Sequence, residues 1–277
     1  MAAGAVVCLS AAVAACSSPG SAKPTAAAPL SPSQAVLVAA HSAAKVNTFS
    51  GTIALQGTYD ESGSSGTIDM SGTMSGQLRP SLTFSANIGT FTTAGQKIGP
   101  MGEVLTTKDL YLKMGMLTQM LRTTKPWLEM PVSALSGKSG VNLSSLVGEA
   151  QNSSPLTESQ MLAGATDVKK AGTGTVDGVP VTEYTGIITM AKAIDALPAS
   201  TRAQLQQEMT EAGIKTATFK VWLDGQNQVK KEVVVEDGKA VSETITVTIT
   251  SVNQPVTITP PPAGQVTQIP ASVLSGS

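Results

Sequence analysis

The strongest constraint on the fold is a period-two alternation that runs from Phe49 to Ile88. Phe49, Ile53, Leu55 and Tyr59 fall on one face of a first segment. Ile68, Met70, Met74 and Leu78 fall on one face of a second, and Leu82, Phe84, Ala86 and Ile88 on one face of a third. A side chain every second residue on one face is the mark of a half-buried strand. The turn sequences Asp60-Glu61-Ser62-Gly63-Ser64-Ser65-Gly66 and Arg79-Pro80-Ser81 separate the three. Strands of about ten residues joined by short turns form an antiparallel meander. Gly51, Gly57, Gly72 and Gly76 interrupt the alternation where a bulge or strong curvature is expected, and a curved sheet has a concave side.

The pattern returns in the second half of the chain. Val104 to Thr107, Leu110 to Met114 and Trp127 to Met130 read as short strands; Val168 to Thr173, Val181 to Thr189, Thr216 to Leu223, Val229 to Glu236 and Ala240 to Val252 read as longer ones. Turns are expected at Asp177-Gly178, Asp224-Gly225-Gln226-Asn227 and Asp237-Gly238. Helices are expected after the serine N-cap at Ser31, with an apolar stripe from Ala35 to Val46, and from Met190 to Ala212 with a break at Pro198. Met114, Met116, Leu117, Met120 and Leu121 make a short helical turn or lid, and residues 131–151 and 155–163 supply further helix and loop material. The proline-rich tail, residues 255–270, is expected to run extended along the domain edge. The sum is an α+β chain: a strongly curved antiparallel β-sheet, an unclosed half-barrel of about ten or eleven strands, with helices covering the concave face.

Upstream, Val13-Ala14-Ala15-Cys16 ends an apolar run and is followed by Ser17-Ser18-Pro19-Gly20. An apolar residue, two small residues and a cysteine resemble a bacterial lipobox, at which a diacylglycerol is attached through a thioether and the preceding peptide removed. Residues 1–15 are then a signal peptide and Cys16 the lipidation site; the alternative is an ordinary secretory signal that happens to precede a cysteine. Met1-Ala2-Ala3-Gly4 has no Lys or Arg, so the start is expected further upstream. At roughly 0.8 kcal/mol per methylene, two or three acyl chains anchor stably. Residues 16–30, which between Cys16 and Leu30 are Ser, Pro, Gly, Ala and Thr with one Lys, form a lipidated disordered tether that reaches up to about 40 Å when extended. Residues 31–277 form a single domain, extracytoplasmic and held at the cell membrane by the lipid.

Composition narrows the chemistry. Cys8 leaves with the signal and Cys16 takes the lipid, so no disulfide remains. With 18 basic and 19 acidic residues and no basic run, nucleic acid is not expected as a partner. His41 is the only histidine, which leaves no pair for zinc or an acid–base relay, and no cofactor or metal is expected. Gly137-Lys138-Ser139 lacks the leading glycine of a phosphate loop, since Val132 stands there, and no Gly-x-Ser-x-Gly elbow occurs. The chain is therefore expected not to be an enzyme. Aromatics are 3% against 41% hydrophobics, so the interior is aliphatic and methionine-rich. Methionines at 70, 74, 114, 116, 120 and 130 fit plain core packing, a wall for acyl chains of variable length, or thioether binding of copper.

The order of elements, with Val176-Asp177-Gly178-Val179-Pro180-Val181-Thr182-Glu183-Tyr184 and then Phe219-Lys220-Val221-Trp222-Leu223-Asp224, resembles the LppX/LprG group of actinobacterial lipoproteins and, more distantly, the LolA/LolB fold. The resemblance implies a half-barrel whose hydrophobic cavity takes the acyl chains of a lipid, glycolipid or lipoprotein and carries or presents them, as a monomer with an envelope protein as a further partner. The alternative on the same fold is a sensor or protein-interaction module. By alternation, the residues expected to line the cavity are Ile53, Leu55, Ile68, Met70, Met74, Leu78, Leu82, Phe84, Ile88, Met114, Leu117, Met120 and Leu121.

Overall fold

The computed structural model describes residues 29–61, 64–135 and 155–269. Cys16, the expected signal peptide (residues 1–15), residues 16–28 of the expected tether and Gly137-Lys138-Ser139 lie outside them. The chain order is α1 (Pro32–Ala43), β1 (Thr48–Glu61), β2 (Ser64–Gln77), β3 (Thr83–Thr93), β4 (Gln96–Lys97), β5 (Met101–Leu105), β6 (Asp109–Lys113), α2 (Gly115–Met120), β7 (Trp127–Pro131) and α3 (Val132–Leu135). It continues with α4 (Pro155–Met161), β8 (Ala165–Val176), β9 (Val179–Thr189), α5 (Met190–Asp195), α6 (Ala199–Ala212), β10 (Thr216–Asp224), β11 (Val229–Asp237), β12 (Val241–Val252) and β13 (Val266–Gln268).

All the strands join one unclosed 13-stranded sheet, ordered β13-β7-β6-β5-β3-β2-β1-β12-β11-β10-β9-β8 with β4 against β3. The two strands beyond the sequence expectation are β4, of two residues, and β13, drawn from the proline-rich tail. β13 pairs with β7 in parallel, and Lys125 Nζ donates to the Val266 carbonyl at 2.8 Å. Every other pairing is antiparallel. The β1–β12 pairing joins the first half of the chain to the second.

Local chemistry explains the elements. Ser31 accepts from the Gln34 amide at 3.3 Å while Gln34 Oε1 accepts from the Ser31 amide at 2.9 Å, a capping box that starts α1 with Pro32 inside it. α1 turns Ala35, Val36, Ala39, Ala40 and Ala43 into the core and leaves His41 exposed. Asp177 at φ 49° and Gly178 at φ 78° make the two-residue turn between β8 and β9, whose handedness matches strand twist. The ladder shifts between Ser50 and Gly51, and again between Ser71 and Gly72, as expected of mid-strand glycines.

The core fills the inner face of the sheet beneath α1, α4 and α5. Phe49 and Phe84 meet with ring centroids 6.5 Å apart, and Val36, Leu156, Leu162, Ile188, Val221 and Val247 are fully buried around them. Each such side chain stabilises the fold by about 1.5–3 kcal/mol relative to exposure.

Candidate functional site: an apolar inner face with buried carboxyls

Strand pairing turns the inner face into rows that cross the sheet. One row reads Val234, Ile245, Leu55, Met70, Phe91 from β11 to β3, and the next reads Val247, Ile53, Gly72, Ile88 from β12 to β3. The side chains of Ile53, Leu55, Ile68, Met70 and Phe91 are half-buried, whereas Met74, Phe84 and Ile88 are buried in the core. Leu78 and Leu82 are half-buried against the core at the opposite end of the strands. Met114, Leu117 and Leu121 are half-buried at the β6–β7 connection, and Met120 is 66% exposed there. The expected lining residues thus fall into four places rather than one. A crevice of about 210 Å³ between α1 and the β11–β12 pair is walled by Ala39, Val46, Leu156, Val229, Ile249 and Val252.

Acids flank the Val234 row on both sides. Glu236 of β11 stands directly across from Glu243 of β12, and Glu232 lies two inner-face positions further along β11, opposite Val247 and Val221. Glu232 is 1% exposed and Glu236 is 2% exposed. From α4 above them, Ser159 Oγ donates to Glu232 Oε2 at 3.0 Å across a separation of 73 residues. Glu232 Oε1 and Glu158 Oε2 are buried without a hydrogen-bond partner.

This geometry sets the protonation state. Burial pushes the Glu232 carboxyl up to about 8, against the downward pull of the Ser159 hydrogen bond. Burial first, then the Glu232 and Glu243 charges, push Glu158 up to about 8. Glu158 as a whole is half-buried, but its Oε2 is shielded, and that shielding governs the acid. Burial, Glu158 and Glu243 push Glu236 up to about 8, and burial raises Glu243. Lys231, next to Glu232 in the chain, holds its Nζ 5.3 Å over the Trp222 ring. At neutral pH Glu158, Glu232 and Glu236 are thus held as carboxylic acids, able to donate protons and hydrogen bonds.

The sequence reading did not single out these glutamates. The available signal was two acids set among valines in Val229 to Glu236, but which parity faces inward depends on pairing. Among the described residues no group of three or more His, Cys, Asp or Glu could hold a metal ion, and no helix is long and apolar enough to cross a membrane.

The comparisons bear on both halves of the site. The model of the amidohydrolase family matches residues 115–272, a span that contains Glu158, Ser159, Glu232, Glu236 and Glu243. That match overturns the expectation that the chain is not an enzyme. An uncharacterised 31.2 kDa protein encoded in the rplA–rplJ intergenic region of Streptomyces griseus is 27% identical over 161 residues, 56% of this chain and 53% of that protein. The chain thus spans about half the length of that curated relative. Similar solved structures include LprF from Mycobacterium bovis, with TM-score 0.48 and 12% identity over 83% of this chain and 96% of that one. LppX from Mycobacterium tuberculosis has TM-score 0.39 and 17% identity over 81% of this chain and 98% of that one. These structures come from the lipoprotein group that the sequence resembles.

Proposed function

The chain belongs to the amidohydrolase family, and from that premise and the inner face we propose an envelope lipoprotein that binds the acyl chain of a lipid, with amide-linked acyl groups as its first ligand class. Cys16 carries the membrane anchor in this reading, and its replacement by serine is expected to abolish incorporation of labelled palmitate. The row Val234, Ile245, Leu55, Met70, Phe91 is the observation that carries the proposal, because its β1–β3 portion is apolar and only half-buried. A 16-carbon chain gains on the order of 10 kcal/mol when fully buried and about half of that when laid on an open apolar face, before association costs. The crevice beneath α1 is smaller than the roughly 300–1,000 Å³ of a typical ligand pocket, so the half-buried row, not that crevice, supports the acyl reading.

Amide chemistry is supported by the acids beside it. A neutral carboxylic acid donates to an amide carbonyl, its second oxygen accepts an amide N–H, and its proton is what a departing amine takes up on hydrolysis. Glu158 and Glu232 each have one buried oxygen with no hydrogen-bond partner.

The test is native mass spectrometry of the protein purified from its host without detergent, followed by lipid extraction and incubation with N-palmitoylglycine. A stoichiometric acyl-bearing ligand, or uptake of the probe, is the expected result; release of palmitate would assign hydrolysis as well. An apo mass with no uptake would overturn the reading in favour of a protein-interaction module.

A further inference from the structure

At the end of the β5–β6 pair where Gly102 faces Lys113, two connections leave the sheet side by side: residues 98–100, entering β5, and residues 114–126, joining β6 to β7. In the longer one, α2 is a short amphipathic helix. Met116 and Met120, one turn apart, are 68% and 66% exposed, while Leu117 and Leu121 on the adjacent face are half-buried. Ile98, on the neighbouring connection, is 42% exposed. Three large apolar side chains therefore stand in solvent at one end of the molecule, where the Ile98 amide donates to the Phe91 carbonyl at 2.9 Å.

Along these two connections the charges have one sign. Residues 94–102 and 113–126 contain Lys97, Lys113, Arg122 and Lys125 and no Asp or Glu, in a chain with 18 basic and 19 acidic residues overall. Lys97, Arg122 and Lys125 are exposed, and the nearest acids along the chain, Glu103 and Glu129, lie within β5 and β7. Exposed apolar side chains ringed by cations are the chemistry of an interface with anionic lipid, where alkyl groups enter the headgroup boundary and cations meet phosphate.

We propose that the α2 connection, with Met116 and Met120 as its apolar tip and Lys97, Lys113, Arg122 and Lys125 around it, docks the domain on an anionic bilayer surface. The contact is separate from any lipid on Cys16. It orients the sheet end carrying α2 toward the membrane, which a tether alone does not do. Each cation near an anionic surface strengthens binding about fivefold. A half-inserted methionine strengthens it about tenfold.

The experiment uses the full chain carrying Cys16→Ser, so that no covalent lipid contributes, in flotation with vesicles of phosphatidylglycerol and phosphatidylcholine at 1:1 or of phosphatidylcholine alone. Binding to the anionic vesicles only, weakened about a hundredfold by Met116→Ser/Met120→Ser and at least tenfold by Lys113→Gln/Arg122→Gln, is the expected result. The fold of each variant is checked by its unchanged urea midpoint. Equal binding to both vesicle types, or no loss in either double variant, would overturn the proposal. Concentration-dependent dimerisation that Met116→Ser/Met120→Ser abolishes, without flotation, would also overturn it by assigning the surface to a second copy of the chain.

Discussion

Ser159 Oγ donates a 3.0 Å hydrogen bond to Glu232 Oε2, and through it a seven-residue helix, α4, is pinned to the middle of β11. Around that bond Glu232, Glu236 and Glu158 hold their protons near neutral pH because burial penalises the charged form. Ser159→Ala removes a donor from a buried carboxyl and is expected to cost about 1–3 kcal/mol. Because the bond favours the charged form, its loss also raises the Glu232 carboxyl further. Urea unfolding at pH 7, with carboxyl infrared bands followed across pH, checks both.

Stability is expected to fall as pH rises. The folded-state values near 8 for Glu158, Glu232 and Glu236 lie above the ordinary 4.5, so the folded chain binds more protons than the unfolded chain between those limits. Their contribution is fully present below about pH 4.5 and is lost as pH rises toward and through 8. The slope is about 1.4 kcal/mol per pH unit for each group titrating in that window. Glu232→Gln keeps the shape and removes the titration, so its melting temperature matches the parent at pH 4 and exceeds it at pH 9. A parent and variant that lose stability equally between those pH values would show that Glu232 does not titrate in the fold.

Met70 and Met74 separate ligand binding from folding. Met70 is half-buried in the row that the proposed acyl chain occupies, while Met74 is 6% exposed within the core. Met70→Asp is expected to reduce acyl uptake by on the order of a hundredfold with little change in unfolding midpoint. Met74→Asp unfolds the domain. Tryptophan fluorescence in urea together with native mass spectrometry of the loaded protein distinguishes the two outcomes.

Gly51 tests the curvature of the sheet. A Cβ there would come within 2.5 Å of the Thr248 carbonyl oxygen, which belongs to the β12 backbone and has little freedom to move. Gly51→Ala is expected to destabilise by about 1–3 kcal/mol, read as a lower urea midpoint at unchanged slope.

Much of the architecture was legible in local sequence. Alternation in residues 49–88 placed β1, β2 and β3, and Asp177-Gly178 placed a hairpin whose positive φ angles the structure shows. Ser31 and Gln34 fixed the start of α1. β4 and β13 escaped because strands of two and three residues carry no periodic signal and exist only through their partners. The lining set was divided because alternation assigns a face but not what covers it. Phe84 lies under the core, Met70 at its margin and Met120 in solvent, all with the same apolar signal.

The carboxyl cluster marks the boundary between what the sequence determined and what only the tertiary structure decided. By itself the sequence determined a glycine-curved antiparallel sheet, an aliphatic interior, and the chemistry of each strand. In Val229 to Asp237, simple alternation from Val229 would turn Val233 and Val235 inward with it. The ladder instead pairs Trp222 with Lys231 and Leu223 with Val229, so one residue is extra on β11 and the parity inverts beyond it. Glu232, Val234 and Glu236 are consequently buried, and Val235 is 40% exposed. A bulge is a property of two paired strands, and the meeting of Glu158 with Glu232 depends on a helix from a distant part of the chain. No local pattern encodes either, which is why tertiary pairing alone decided where the acids lie and what state they hold.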